Sequence, residues 1–290
     1  MQYKVRPGWS VVECFVAGKS PNQNLCEDVV VVTEHYAAVI DGVTDKSGFT
    51  YSYDAEEISS GRFAALTLRD LFYELDPNLD PLGAVTKLSA GLDRALNAQR
   101  PNIARQERPA AVVVATNFVR DELWRVGDTS YALAGDQLRI KLGSIAVGIA
   151  MQQLRCCYLA ALDAAGDGWS SQGGSPDPGR AVIQPMLDIQ AALANRPESE
   201  WGYGVINGIE VPEQFVEIEL LQGVGRVVMA SDGYPALDQA GTINLRAAEL
   251  HLAGLLERDS ECRSELAGAK AVMPGNSSFD DRAWLELLRD

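Results

Sequence analysis

Histidine is almost missing from this chain: 290 residues contain only His35 and His251, which makes a His-rich zinc centre improbable. Cysteine is scarce as well. The five present, Cys14, Cys26, Cys156, Cys157 and Cys262, are odd in number and include no CxxC pair. Neither a disulfide framework nor a zinc knuckle is implied. No apolar run approaches the ~20 residues needed to cross a bilayer. No signal-peptide pattern opens the chain, since Met1 to Pro7 is polar, and a cytoplasmic location is expected. Neither a GxxxxGKS nor a GxGxxG motif occurs, so nucleotide-driven activity is not expected. Positive charge is short too, with 25 Lys and Arg against 40 Asp and Glu. The net charge of −15 argues against nucleic acid or an anionic membrane as partner.

What remains is an ordinary folded composition, 47% apolar and 22% charged, with length enough for a substantial core. Short Val- and Ile-rich strands are predicted at Val11–Val16, Val29–Thr33 and Ala37–Ile40. A helix follows, with Ala64, Leu68, Leu71, Phe72 and Leu75 on one face, and Asp76-Pro77 ends it. Asp80-Pro81 opens a second helix whose stripe is Val85, Leu88, Leu92 and Leu96. Strands return at Ala111–Phe118, Glu122–Val126, Tyr131–Ala134 and Gln137–Lys141, the last two joined by a Gly135-Asp136 turn. Helical patterns cover Ile145–Ala164 and Ala181–Ala194, around a Gly-, Ser- and Pro-rich loop at Gly166–Gly179. Strands at Phe215–Leu221 and Arg226–Ala230, helices at Leu245–Leu256 and Glu261–Lys270, and a strand at Arg282–Leu288 complete the pattern. Hairpins, then paired helices, then hairpins indicate an α+β layered fold rather than a βαβ array, in one domain over residues 1–290.

Carboxylates recur at the ends of these strands, where a loop presents a side chain that a sheet holds rigid. Glu27-Asp28 precedes Val29–Val32, and Asp41-Gly42 follows Ala37–Ile40. Asp232-Gly233 follows Val227–Ser231, Asp280-Asp281 precedes Arg282–Leu285, and Gly127-Asp128-Thr129 sits between two strands. A lone Asp-Gly is simply a good turn. Here, however, each apolar run implies a buried strand, and carboxylates gathered at buried strand ends repel one another unless a cation neutralises them. Oxygen ligands without Cys or His select Mg²⁺ or Mn²⁺ over zinc. Two such ions about 3.5–4 Å apart clamp a phosphoryl group and acidify bound water.

Five segments resemble the motifs of the protein phosphatase 2C family, in the family's order and over nearly the whole chain. They are Asn24-Leu25-Cys26-Glu27-Asp28-Val29, Val39-Ile40-Asp41-Gly42-Val43-Thr44 with Ser47-Gly48, Arg125–Tyr131 around Gly127-Asp128, Val228–Gly233, and Phe279–Ala283. The resemblance implies a four-layer αββα sandwich with two central antiparallel sheets. It also implies a metal-dependent serine/threonine phosphatase acting on phosphoproteins through water activated between two Mn²⁺ or Mg²⁺ ions, with no covalent phosphoenzyme. By position, Asp41 would bridge both ions and the Gly42 carbonyl would ligate one. Asp232 and Asp280 would complete the other, Glu27 and Asp28 would act largely through waters, and Asp128 would hold a third, weaker ion. Asp41 and Asp232 would thus carry the catalysis.

Two departures stand out. The family's phosphate-holding arginine, four residues before the Glu position, is Gln23 here. Lys19 is the nearest substitute, as a point charge rather than a bidentate fork, and a solvated surface lysine explains it equally well. After Asp41-Gly42 the run Val43-Thr44-Asp45-Lys46 supplies no glycine run or histidine as proton donor to the leaving group. Two rival readings follow: a catalytically weak or inactive relative serving as a binding or regulatory module, and a phosphatase for a small phosphorylated metabolite. Cys156-Cys157 is read as a pair of small core residues. His35 and His251 receive no catalytic role, and Trp201-Gly202-Tyr203-Gly204 is read as a hydrophobic loop anchor.

Overall fold

The alternation of apolar side chains along single strands decides the architecture. In the strand Tyr36–Gly42, Ala37 and Val39 enter one core while Tyr36, Ala38 and Ile40 enter another. A strand buried on both faces must lie between two layers. The computed structural model describes residues 3–6 (by backbone), 8–44, 48–171, 175–235, 237 and 243–290. Its strands are β1 Tyr3–Arg6, β2 Trp9–Ala17, β3 Asp28–Val32, β4 Tyr36–Gly42, β5 Thr50–Tyr53, β6 Glu56–Ser59, β7 Ala111–Asn117, β8 Glu122–Val126, β9 Ser130–Ala134, β10 Leu138–Lys141, β11 Val216–Leu220, β12 Arg226–Ala230 and β13 Arg282–Arg289. Its helices are α1 Ser60–Glu74, α2 Pro81–Gln99, α3 Ala146–Ala165, α4 Pro178–Ile189 and α5 Leu245–Arg258.

Two antiparallel sheets face each other, one ordered β1-β2-β13-β12-β9-β10 and the other β11-β8-β7-β4-β3. Between them lie Trp9, Val11, Val39, Val114, Leu133, Met229 and Leu285. α1 and α2 cover the outer face of the five-stranded sheet, burying Leu68, Phe72, Leu88 and Leu92 against Ile40, Val113 and Trp124. On the outer face of the six-stranded sheet, Ala248 of α5 packs with Ala132, Val228, Tyr234 and Trp284. The fold is therefore an αββα sandwich, as the resemblance implied.

Local signals account for most boundaries. Asp80 caps α2 by accepting the Gly83 N–H at 2.7 Å, with Pro81 in the first turn. Asp177 does the same for α4, accepting from the Arg180 N–H at 3.0 Å. The segment Glu261–Lys270, expected as a helix, is not one. The Asp259 carboxylate collects the backbone N–H groups of Arg263 at 3.1 Å, Ser264 at 2.9 Å and Leu266 at 2.9 Å, bonds that compete with the helical ladder. Cys262 adopts φ +52°, outside any right-handed helix. Conversely, the hairpin β5–β6 was not expected, because its turn uses Asp54 and Ala55 at positive φ where glycine or asparagine is the usual signal. Cys157 is exposed on α3 and Cys156 half-buried, so the pair is not core: α3 is buried along one side only, at Val147, Arg155 and Leu159. Asp45, Lys46 and Ser47, with residues 172–174 of the expected loop, lie outside the described residues.

Candidate active site

Sheet pairing brings the strand-end carboxylates to one end of the sandwich. In the β3–β4 hairpin Asp28 lies directly opposite Asp41. In the other sheet Ala230 pairs with Trp284, and the Ser231 N–H donates to the Ala283 carbonyl at 3.1 Å. Asp232 therefore leaves β12 where Asp280 and Asp281 enter β13. The third approach is the crossing from β8 in one sheet to β9 in the other, through Gly127-Asp128-Thr129. Gly127 takes φ +91°, and a Cβ there would overlap Val112 Cγ1 at 2.1 Å, so only glycine permits the crossing. Close backbone approach also fixes Gly42, whose Cβ would meet the Gly61 carbonyl oxygen at 2.4 Å and that of Glu27 at 2.8 Å.

Asp28, Asp41, Gly42, Asp128, Asp232, Asp280 and Asp281 line one cavity of about 700 Å³. Its apolar wall includes Val112, Ile145, Tyr203 and Val205, and its cations are Arg105, Arg108, Arg180 and Lys270. Tyr203 packs against Val112, Val147 and Ala194, so the Trp201–Gly204 loop is anchored as expected and also contributes to the wall.

Electrostatics tie the cluster together. Burial first, and then the charges of Asp28, Asp232, Asp128 and Asp280, raise Asp41 well above the usual carboxylate range. Burial pushes Asp28 up to about 8, with Asp281 and Asp280 adding to the rise and Ser231 opposing it. Asp232 and Asp128 are raised by burial as well. For Asp232, which is open to the cavity, the neighbouring charges of Asp280, Asp128 and Asp28 add to the rise. Asp280 goes the other way: burial would raise it, but the ammonium groups of Lys270 and Lys19 outweigh burial and hold it at about 2.

Those contacts are direct. Lys19 Nζ lies 2.8 Å from Asp280 Oδ1 and 3.3 Å from Asp281 Oδ2, and Lys270 Nζ lies 3.0 Å from Asp280 Oδ2. Asp281 also accepts the backbone N–H of Lys19 at 2.7 Å and of Glu27 at 3.0 Å, tying the segment before β3 to the start of β13. Glu27 itself accepts from the Ser59 and Thr44 hydroxyls, both at 2.6 Å. Gln23 accepts from the Gly18 N–H at 2.7 Å and donates to the Ser20 carbonyl at 2.9 Å, bracing its own loop. Among the described residues, Glu27, Lys19 and Gln23 are not on the cavity wall.

Lys270, Arg180 and the bracing role of Asp281 were not anticipated. Asp281 was legible as the neighbour of Asp280. Lys270 carried no signal, because it lies in a segment whose pattern read as helix.

The residues fit a hard divalent cation. The cluster is all oxygen, mutually repulsive, and contains a buried oxygen, Asp28 Oδ2, with no hydrogen-bond partner. Among the described residues no three acidic, Cys or His side chains already stand as an ion cage, and both oxygens of Asp280 face lysine.

No family model matches the chain, and no curated protein does. Among solved structures, it is similar to the serine/threonine phosphatase PstP/Ppp of Mycobacterium tuberculosis, at 16% identity and TM-score 0.49 over 95% of this chain and 97% of that one. Stp1, a serine/threonine phosphatase from Staphylococcus aureus, aligns at 11% identity and TM-score 0.49, over 96% and 94%. A PPM Ser-Thr phosphatase from Mycobacterium smegmatis, MsPP, aligns at 14% identity and TM-score 0.43, over 96% and 98%.

Proposed function

We propose that this chain is a metal-dependent phosphatase that hydrolyses phosphoserine or phosphothreonine on proteins, with two Mn²⁺ or Mg²⁺ ions held in the carboxylate cavity. One observation carries the reading: Asp41 lines one cavity with Asp28, its direct partner across the β3–β4 pair, and with Asp128, Asp232 and Asp280, aspartates from three further segments of the chain. Such a group is costly without a cation. Asp41, the Gly42 carbonyl, Asp232 and Asp280 would hold the two ions, Asp28 and Glu27 would act largely through waters, and Asp128 would serve a third. Bound ions of this kind supply Lewis acidity and a water acidified toward neutral pH. The chain itself supplies the enclosure. The apolar wall at Val112, Ile145 and Val205 limits solvent, and Lys270 and Arg180 give the cavity the positive charge that a phosphoryl group requires. The cytoplasmic setting expected from the sequence belongs to the same proposal.

A second reading, an inactive or weak relative used as a binding module, is favoured by the lysine contacts on both oxygens of Asp280. The deciding experiment is hydrolysis of an aryl phosphate with Mn²⁺, with EDTA, and after Asp232→Asn. Activity should require Mn²⁺ and fall by about a hundredfold or more in the variant. Activity that survives EDTA or the substitution ends the two-metal mechanism. Mn²⁺ binding without hydrolysis selects the second reading. A phosphopeptide panel set against small phosphate esters then separates a protein substrate from a metabolite.

A further inference from the structure

The phosphatase reading leaves one part unassigned, the group that holds the phosphate in place of the expected arginine. Resting on that reading, we propose that Lys270 is the substrate-phosphate anchor, reaching the cavity from the C-terminal part of the chain rather than from the segment before β3.

Elimination is the first argument. Gln23 is neutral and turned toward Gly18 and Ser20. Lys19 bridges Asp280 and Asp281 and, among the described residues, is off the cavity wall. Four cations line the wall, and the guanidinium groups of three hold oxygens outside the aspartate cluster. Arg105 donates to the carbonyls of Ala194 and Asn195, Arg108 to Asp93 and the Asn207 carbonyl, and Arg180 to the Ala269 carbonyl. Of the four, Lys270 is the cation whose charged group touches the aspartate cluster, at 3.0 Å from Asp280. An ammonium has three donors, so the Asp280 contact leaves it capacity for a phosphoryl oxygen.

Support of the backbone is the second argument, since an anchor acts best when its position is set in advance. Lys270 ends a segment held from several directions. Asp259 collects three of its N–H groups, and the Val272 N–H donates to the Ser260 carbonyl at 2.9 Å. The fully buried Arg155 of α3 donates to the carbonyls of Glu261, Cys262 and Gly268 at 2.8 to 3.0 Å, and pairs with Asp177 at 2.7 Å. Arg180 of α4 holds the Ala269 carbonyl at 3.0 Å. The α3–α4 pair thereby fixes the residues leading to Lys270.

Asp280 keeps a cationic partner without Lys270, because Lys19 covers its other oxygen. The side chain can therefore be removed with Asp280 still paired.

The test measures inorganic phosphate binding to the Mn²⁺-loaded protein by calorimetry, beside Mn²⁺ titrations and thermal melts, for wild type, Lys270→Met, Lys270→Arg and Lys19→Met. Lys270→Met should weaken phosphate about tenfold to a hundredfold, the loss of one charge-assisted contact. Its Mn²⁺ affinity should hold, any fall in its melting temperature should be no larger than that of Lys19→Met, and Lys270→Arg should recover most of the phosphate affinity. Lys270→Gln carries the same comparison if the methionine variant does not fold. Unchanged phosphate affinity in Lys270→Met overturns the proposal, as does a parallel loss of Mn²⁺ binding or an equal effect of Lys19→Met. If the wild type neither binds Mn²⁺ nor hydrolyses an aryl phosphate, the phosphatase reading itself has failed and the anchor falls with it.

Discussion

Asp28 and Asp41 face each other as directly paired residues across β3 and β4, two carboxylates where a sheet ordinarily avoids like charge. Burial raises both; the charge of Asp28 adds to the rise of Asp41, while Asp281 and Asp280 add to that of Asp28, which reaches about 8. A group whose pKa is raised by folding stabilises the fold below its unfolded value, and that stability is lost as pH climbs through the folded value. Metal-free protein should therefore melt at progressively lower temperature from about pH 4 to pH 8, and Mn²⁺ should restore the loss at the upper end. Asp28→Asn should raise the metal-free melting temperature at pH 7.5 while weakening Mn²⁺ binding. A flat melting profile over this range would contradict the assignment of these shifts.

Asp280 responds in the opposite sense because its pKa is lowered to about 2 by Lys270 and Lys19, against its burial. Its contribution is present above the unfolded pKa and lost as pH falls toward 2. Asp280→Asn should therefore destabilise the metal-free protein at neutral pH by about 1–3 kcal/mol, leaving Lys270 without its carboxylate and Lys19 with Asp281 alone. Asp232→Asn, which removes a repelling charge, should leave stability level or raise it. Urea unfolding of both variants with EDTA checks the contrast.

Gly42 approaches Gly61 so closely that a methyl group has nowhere to go. Gly42→Ala should cost about 1–3 kcal/mol through forced displacement of the β4 end. Because that displacement moves Asp41, Mn²⁺ affinity should drop in the same variant, measured by calorimetry. Gly223→Ala, at a positive-φ turn with open space around it, serves as a comparison in which Mn²⁺ affinity should hold.

Arg155 is fully buried and bonded to Asp177 and three carbonyls from another segment. Arg155→Met should destabilise by about 3–5 kcal/mol, since a half-buried carboxylate partner and several carbonyls lose their donor. Hydrogen exchange should accelerate across residues 259–272 before it does in β12 or β13. Equal acceleration everywhere would mean that Arg155 supports the whole fold rather than this segment.

Much of the site was legible because strands buried on both faces announce their own ends. Val29–Val32 and Val227–Ala230 are uninterrupted apolar runs, and the carboxylates that flank them lie where sheet pairing later places them. The layered fold followed from the same alternation. Lys270 was not legible, because its position depends on a long-range arginine and on Asp259 rerouting a segment rich in helix formers. The β5–β6 hairpin escaped because its turn carries Ala55 at positive φ, where glycine is the usual signal.

β4 sends successive side chains into two different cores and then terminates in Asp41-Gly42. A slip of one residue in its pairing would exchange the contents of both cores and turn the central aspartate away from its companions. Misassembly of the interior and dispersal of the carboxylate cluster are thus the same accident, so whatever reports the cluster intact also reports the correct threading of the innermost strand.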